Sequence, residues 1–156
     1  MILTLMKFTC ALHQHDFVSP DLSPYCYGEF LLRSDGAEVR YLNAIEDKVF
    51  TEVEDIIISI LGEEFPDITN TSAALHAIFG PVACDPDDYG NLFEMNRFPS
   101  CPYCETNQMM AWDAAEPPET IDIPIASVTH THWHGMSECE KRGSVRKFLR
   151  EWALAR

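Results

Sequence analysis

Two cysteines frame the stretch Cys101-Pro102-Tyr103-Cys104, and a run of alternating imidazoles follows at His130-Thr131-His132-Trp133-His134. How the cysteine pair is read decides the fold of the second half of the chain. A dithiol active site needs its first cysteine at the N-terminus of a helix, where the dipole lowers the thiol pKa. A metal knuckle needs a tight turn instead, with a second pair of ligands arriving from elsewhere in the chain.

The four residues Cys101 to Cys104 are identical to the active-site tetrapeptide of glutaredoxins, a resemblance that implies a nucleophilic Cys101 and a resolving Cys104. The run that follows, Glu105-Thr106-Asn107-Gln108, lacks the apolar spacing of a helix packed on a sheet. The second stretch, with Ala126-Ser127-Val128-Thr129 before it, resembles the strand-end metal motif of metallo-β-lactamase-type hydrolases, in which alternate histidines bind zinc. His134 stands where that family places an aspartate, so the ligands for its second metal and its activated water are missing.

Taken together the two stretches supply one complete coordination shell. Zinc prefers four tetrahedral sulfur or nitrogen ligands, and Cys101 with Cys104 form a knuckle whose partners are His130 and His134 at His-x3-His spacing. The arrangement resembles a zinc ribbon over residues 98–136, with hairpin strands near Met109 to Trp112 and Ile121 to Thr129 between the ligand pairs. On a strand His130, His132 and His134 all point to one side, so His132 is an alternative to either neighbour. Cys139 is a further alternative. A second cluster, Cys10, His13, His15 and Asp16, with Cys26 near it, offers another half-site in Cys10-x2-His13, which completes the shell of Cys101 and Cys104 if the N-terminal strand lies beside the ribbon.

Outward from these motifs, Ile2 to Cys10 reads as a strand and residues 11–26 as a loop. Tyr27–Arg33 and Glu38–Leu42 flank Ser34-Asp35-Gly36-Ala37, an Asp-Gly hairpin signal. Asn43 and Glu46 suggest a capping box, and Ile45, Val49, Val53, Ile56, Ile57, Ile60 and Leu61 recur at helical spacing up to Gly62. A shorter helix is expected over 72–79, stopped by Gly80 and Pro81, with His76 partly buried on it. Strands are expected at Asn91–Phe98, Met109–Trp112 and Ile121–His134. A last helix starts near Ser137, with Glu140 completing a capping box, Val145, Phe148, Leu149 and Trp152 on its apolar face, and the basic residues Lys141 to Arg150 as its solvated remainder. The acidic turn Asp85 to Gly90 marks a boundary between an α+β part (1–90) and a zinc-ribbon-like part with its terminal helix (91–156), packed as one unit. The fold class is α+β: a small antiparallel sheet with flanking helices.

Formal net charge is −14, unevenly placed. Residues 1–140 hold 24 acidic and 5 basic residues, a balance of −19, whereas residues 141–156 hold 6 basic and 1 acidic, a balance of +5. Such a body repels phosphate backbones and favours a basic protein as partner over nucleic acid. No run of roughly 18 apolar residues spans a membrane. The first residues carry no basic leader, so a cytoplasmic chain with reduced cysteines is expected. No Ser/His/Asp order or Gly-rich phosphate loop is present. A zinc with four protein ligands has no open position for chemistry. These observations predict a non-catalytic, acidic protein-binding module with a structural Zn2+; in size and charge it is similar to bacterial immunity proteins that inhibit basic nucleases. The alternative is a zinc-dependent hydrolase built on His130, His132 and His134, with Glu138 as base.

Overall fold

The Asp-Gly hairpin forms as its sequence predicts. The structure, a computed structural model, describes residues 1–156 and places β3 (Glu29–Ser34) antiparallel to β4 (Val39–Asn43), with Leu31 opposite Tyr41. The left-handed residue of the turn is Ala37 (φ 65°) and not Gly36. Gly36 is required for a different reason: a Cβ there would stand 2.9 Å from both Asp87 Oδ2 and Asn91 Nδ2. Asp87 is buried and accepts bonds from Ser34 Oγ, the Tyr89 and Asn91 N–H groups and Asn91 Nδ2. The acidic turn is thereby docked onto the hairpin. It leads into β5 (Phe93–Glu94), which pairs with β3, so the strand expected over Asn91–Phe98 shrinks to two residues.

Helix α1 (Lys48–Glu64) carries the predicted apolar face, with Val49, Val53, Ile57, Ile60 and Leu61 buried, but both of its ends differ from expectation. Asp47, not Asn43, is the cap, because its carboxylate accepts from the Val49 and Phe50 N–H groups. Asn43 closes the preceding turn instead, and Ile45 lies outside the helix, 66% exposed. Gly62 does not stop the helix.

Helix α2 (Thr71–Ala83) likewise runs through Gly80 and Pro81. A Cβ at Gly80 would meet the Phe93 carbonyl at 1.9 Å, so this glycine serves close approach of α2 to β5. Pro81 costs one hydrogen bond in the last turn, and the helix closes on the bond from Cys84 N–H to Gly80 O. His76 is half-buried, edge-on to Phe30.

Helix α4 (Glu138–Leu154) starts at the predicted Ser137–Glu140 capping box. Its basic residues are not simply solvated: Arg142 pairs with Glu63 at 2.8 Å, Arg146 with Glu64 at 2.9 Å, and the buried Lys141 with Glu52 at 2.9 Å. They strap α4 to α1. Beneath these pairs Val53, Ile57, Leu75, Phe79, Val145, Leu149 and Trp133 form one core with Leu32, Leu42 and Phe93 of the hairpin sheet. Each large side chain there contributes roughly 1.5–3 kcal/mol by leaving water.

The second sheet centres on β1 (Ile2–Cys10). The expected loop over 11–26 contains a strand, β2 (Asp16–Asp21), antiparallel to β1, with Phe8 opposite Phe17. Its Pro20 is tolerated because β2 is an edge strand. On the other side of β1 lie β6 (Met109–Ala114) and β7 (Thr120–Asp122), end to end. They do not pair with each other, so the ribbon hairpin expected between them is absent. Leu5 explains why: its carbonyl accepts from Ala115 N–H and its N–H donates to Glu119 O, so β1 takes both strands and the prolines 117 and 118 loop out between them.

The last predicted strand is also cut short. Beyond β7 only Ser127 bridges to Tyr41, and Thr131–His134 form a helical turn, α3. Asp85 caps that turn through the Thr131 and His132 N–H groups and the Thr129 hydroxyl, and Trp133 is fully buried with its indole N–H on Glu52. Two small antiparallel sheets and four helices result, an α+β architecture. No helix is long and apolar enough to cross a membrane.

Candidate metal centre

At one end of the β1 sheet two tight turns meet. The first joins β1 to β2: Cys10 N–H donates to His15 O (2.9 Å), Gln14 N–H donates to Cys10 O (3.1 Å), and Gln14 takes the left-handed conformation (φ 57°). Four residues, Ala11 to Gln14, form the loop, and Cys10 and His15 stand at its base. The second turn is the Cys-x-x-Cys stretch. Cys101 N–H donates to Thr106 O (2.7 Å), Glu105 N–H donates to Cys101 O (2.8 Å), and Glu105 is left-handed (φ 64°). A bond from Ala11 N–H to Gln108 O (2.8 Å) and the Cys10–Met109 register lock the turns together.

The consequence is a convergence of four donors: the Sγ atoms of Cys10, Cys101 and Cys104 and Nδ1 of His15 all lie within 4.8 Å of one another. Cys10 Sγ is 3.8 Å from Cys104 Sγ and 3.7 Å from His15 Nδ1, and Cys101 Sγ is 3.6 Å from His15 Nδ1. A tetrahedral ion with sulfur at about 2.3 Å and nitrogen at about 2.0–2.1 Å sets sulfur pairs about 3.8 Å apart and sulfur–nitrogen pairs about 3.6 Å apart. The spacing fits. All six cysteines are free thiols, and Cys10 and Cys101 are buried beside Phe8, Phe17 and Phe98. His15 is covered by Tyr103, ring to ring at 5.2 Å, and its backbone N–H donates to Cys10 Sγ at 3.2 Å.

The electrostatics of the group suit a cation. Burial alone would raise the Cys10 thiol, but the N–H groups of His13 and His15 and the two neighbouring thiols bring it down to about 7. Cys104 moves the other way: although the Thr106 N–H favours its thiolate, burial and the adjacent Cys101 and Cys10 raise it. Two thiolates side by side repel, and a bound cation removes that penalty.

The other sequence-derived candidates lie elsewhere. His130 Nδ1 is 2.6 Å from Ala83 O and its Nε2 is 2.7 Å from Asp47 Oδ2. Both ring nitrogens are thus engaged by the chain's own oxygens, and neither joins the cysteine cluster. His134 stands edge-on to His130, 6.3 Å away between rings, and His132 lines a cavity of about 410 Å³ with Cys84, Leu92, Ser144 and Phe148. On a helical turn the three imidazoles no longer share a side, and they do not join Cys101 and Cys104. Cys139 is exposed at the start of α4, and His13 flanks His15 outside the group. The half-site Cys10-x2-His13 is met in part: Cys10 does reach the cysteine pair, but His15 takes the place expected of His13. His15 is placed by β2, which begins at Asp16 and carries no strong alternation in sequence. No family model matches the chain, and neither a curated protein nor a solved structure matches it.

Proposed function

We propose that a structural Zn2+ bound by Cys10, His15, Cys101 and Cys104 pins the two turns of the β1 sheet, and that the chain is a non-catalytic module that binds a basic protein. The convergence of three thiols and one imidazole at tetrahedral spacing carries the first half of this reading. Soft sulfur ligands with one imidazole favour zinc among the common divalent ions, and four protein ligands leave no position for water or substrate. When bound, the ion neutralises the clustered thiolates; the chain's own part is to hold four donors in place, exclude water with Phe8, Phe17 and Tyr103, and orient His15 through its backbone.

The second half rests on charge. Among the lysines and arginines only Lys48, Lys147 and Arg156 make no ion pair with a carboxylate, and four of the five cations of α4, Lys141, Arg142, Arg146 and Arg150, are neutralised by carboxylates of α1, so little of the positive charge stands free against the acidic surface. Complementary fields speed association and make it sensitive to salt. Polylysine as a probe tests this: the reading expects binding at low ionic strength that weakens at least tenfold at high ionic strength, and binding indifferent to salt, or none, contradicts it. An inhibitor of the immunity-protein kind is one module of this description.

A further inference from the structure

Sheets leave two edges, and this one treats them differently. The β2 edge is closed by Pro20, whose carbonyl also accepts from the buried Arg33 guanidinium at 3.3 Å. The opposite edge, formed by β6 and then β7, pairs only with β1 and contains neither proline nor lysine within its strands, two of the devices that blunt an exposed edge; its register break lies at the Met109 end, opposite Thr9 and Cys10, leaving Ala111–Ala114 regular. Ala115 N–H points at Leu5 O and Asp113 stands opposite Lys7, so the backbone groups of Trp112 and Ala114 turn outward by alternation. The bond from Glu119 O to Leu5 N–H likewise turns Thr120 and Asp122 outward. Asp113 Oδ1 takes the outward Ala114 N–H at 2.8 Å.

Along this edge Met110 and Trp112 are 56% and 53% exposed, beside a groove of about 500 Å³ lined by Lys7, Thr9, Ala111, Trp112, Ala114 and Glu116. Residues 98–140 contain no lysine or arginine. Asp113, Glu116 and Glu119 form no ion pair with the chain, while Asp122 is held by the Met1 amine at 2.9 Å and Lys7 leans on Asp16 at 3.7 Å.

We infer that the free β6–β7 edge receives an extended lysine- or arginine-bearing segment of the partner as an added strand. Main-chain hydrogen bonds to Trp112 and Ala114 supply the affinity, and the flanking carboxylates select basic side chains. A partner cation that draws Asp113 away frees the Ala114 N–H for pairing, which ties charge recognition to strand addition. A second copy of this chain is a poor occupant, since it would set the same carboxylates against each other. The inference rests on the basic-partner reading above and narrows it to one place and one mode.

The test is a titration of the isotope-labelled full chain with a peptide of alternating lysine and valine, followed by amide chemical shifts. The inference expects shifts concentrated over residues 109–122, about a tenfold loss of affinity in Ala114→Pro, which removes an outward N–H without touching the β1 ladder, and a similar loss when the peptide amides that face β6 are N-methylated. Shifts spread over acidic residues elsewhere, with Ala114→Pro and the methylated peptide binding as before, overturn the inference and leave the basic-partner reading standing. No shift at any amide at low ionic strength overturns both.

Discussion

The Sγ atoms of Cys10 and Cys104 lie 3.8 Å apart although 94 residues separate them in the chain. Neither turn that carries them has a core of its own: only Phe8, Phe17 and a few neighbours are buried around them, against the large cluster under the helices. In the proposed reading a bound ion would substitute at this end of the molecule for the hydrophobic contacts that the helical layer has in plenty.

Substitutions separate the two ligand sets. Cys10→Ser and His15→Ala are expected to lower bound zinc well below one per chain and to cost about 4 kcal/mol in urea unfolding, the scale of losing a metal. His130→Ala is expected to retain its zinc, since that ring is held by Ala83 O and Asp47. Elemental analysis of the purified variants reads the difference; metal lost with His130 and kept with His15 would reverse the assignment.

Two glycines of similar sequence context should respond in opposite directions. Gly62→Ala has nothing within 4 Å of the new Cβ and is expected to stabilise by about 0.5–1 kcal/mol through helix propensity. Gly80→Ala drives its methyl into the Phe93 carbonyl at 1.9 Å, so the same propensity gain is outweighed and a loss above about 2 kcal/mol is expected. Thermal unfolding of both variants checks the sign.

Asp85 should make stability fall in acid. Burial tends to raise its carboxyl, yet the His132 N–H, the Thr129 hydroxyl and the Thr131 N–H together hold it down to about 2. A carboxyl depressed in the folded state contributes stability that is complete above its unfolded pKa, about 3.9, and is lost as pH falls through the folded value. Asp85→Ala is therefore expected to unfold more easily than the parent at pH 6, with the gap narrowing between about pH 4 and pH 2. A gap independent of pH would mean that the carboxylate charge plays no part in capping α3.

What the sequence made legible follows the range of the interactions. The β3–β4 hairpin, the apolar face of α1 and the Ser137–Glu140 cap are set by residues a few positions apart, and each forms as its pattern predicts. The Cys101–Cys104 turn was visible for the same reason. Its partners were not settled by spacing, because Cys10 and His15 arrive through the pairing of β1 with β6, a contact about a hundred residues long. The alternation at His130, His132 and His134 suggested a strand, but Trp133 in the core and the Asp85 cap fold that run into a helical turn. Likewise Gly80 and Pro81 read as a stop until the approach of Phe93 gave the glycine a packing role.

X-ray absorption at the zinc edge, on protein with one metal per chain by elemental analysis, tests the central claim most directly. The account predicts a four-coordinate zinc with three sulfur ligands near 2.3 Å and one nitrogen near 2.0–2.1 Å. Two sulfurs with two nitrogens, an additional water oxygen in the shell, or a native protein whose cysteines are joined as disulfides and bind no metal would contradict it.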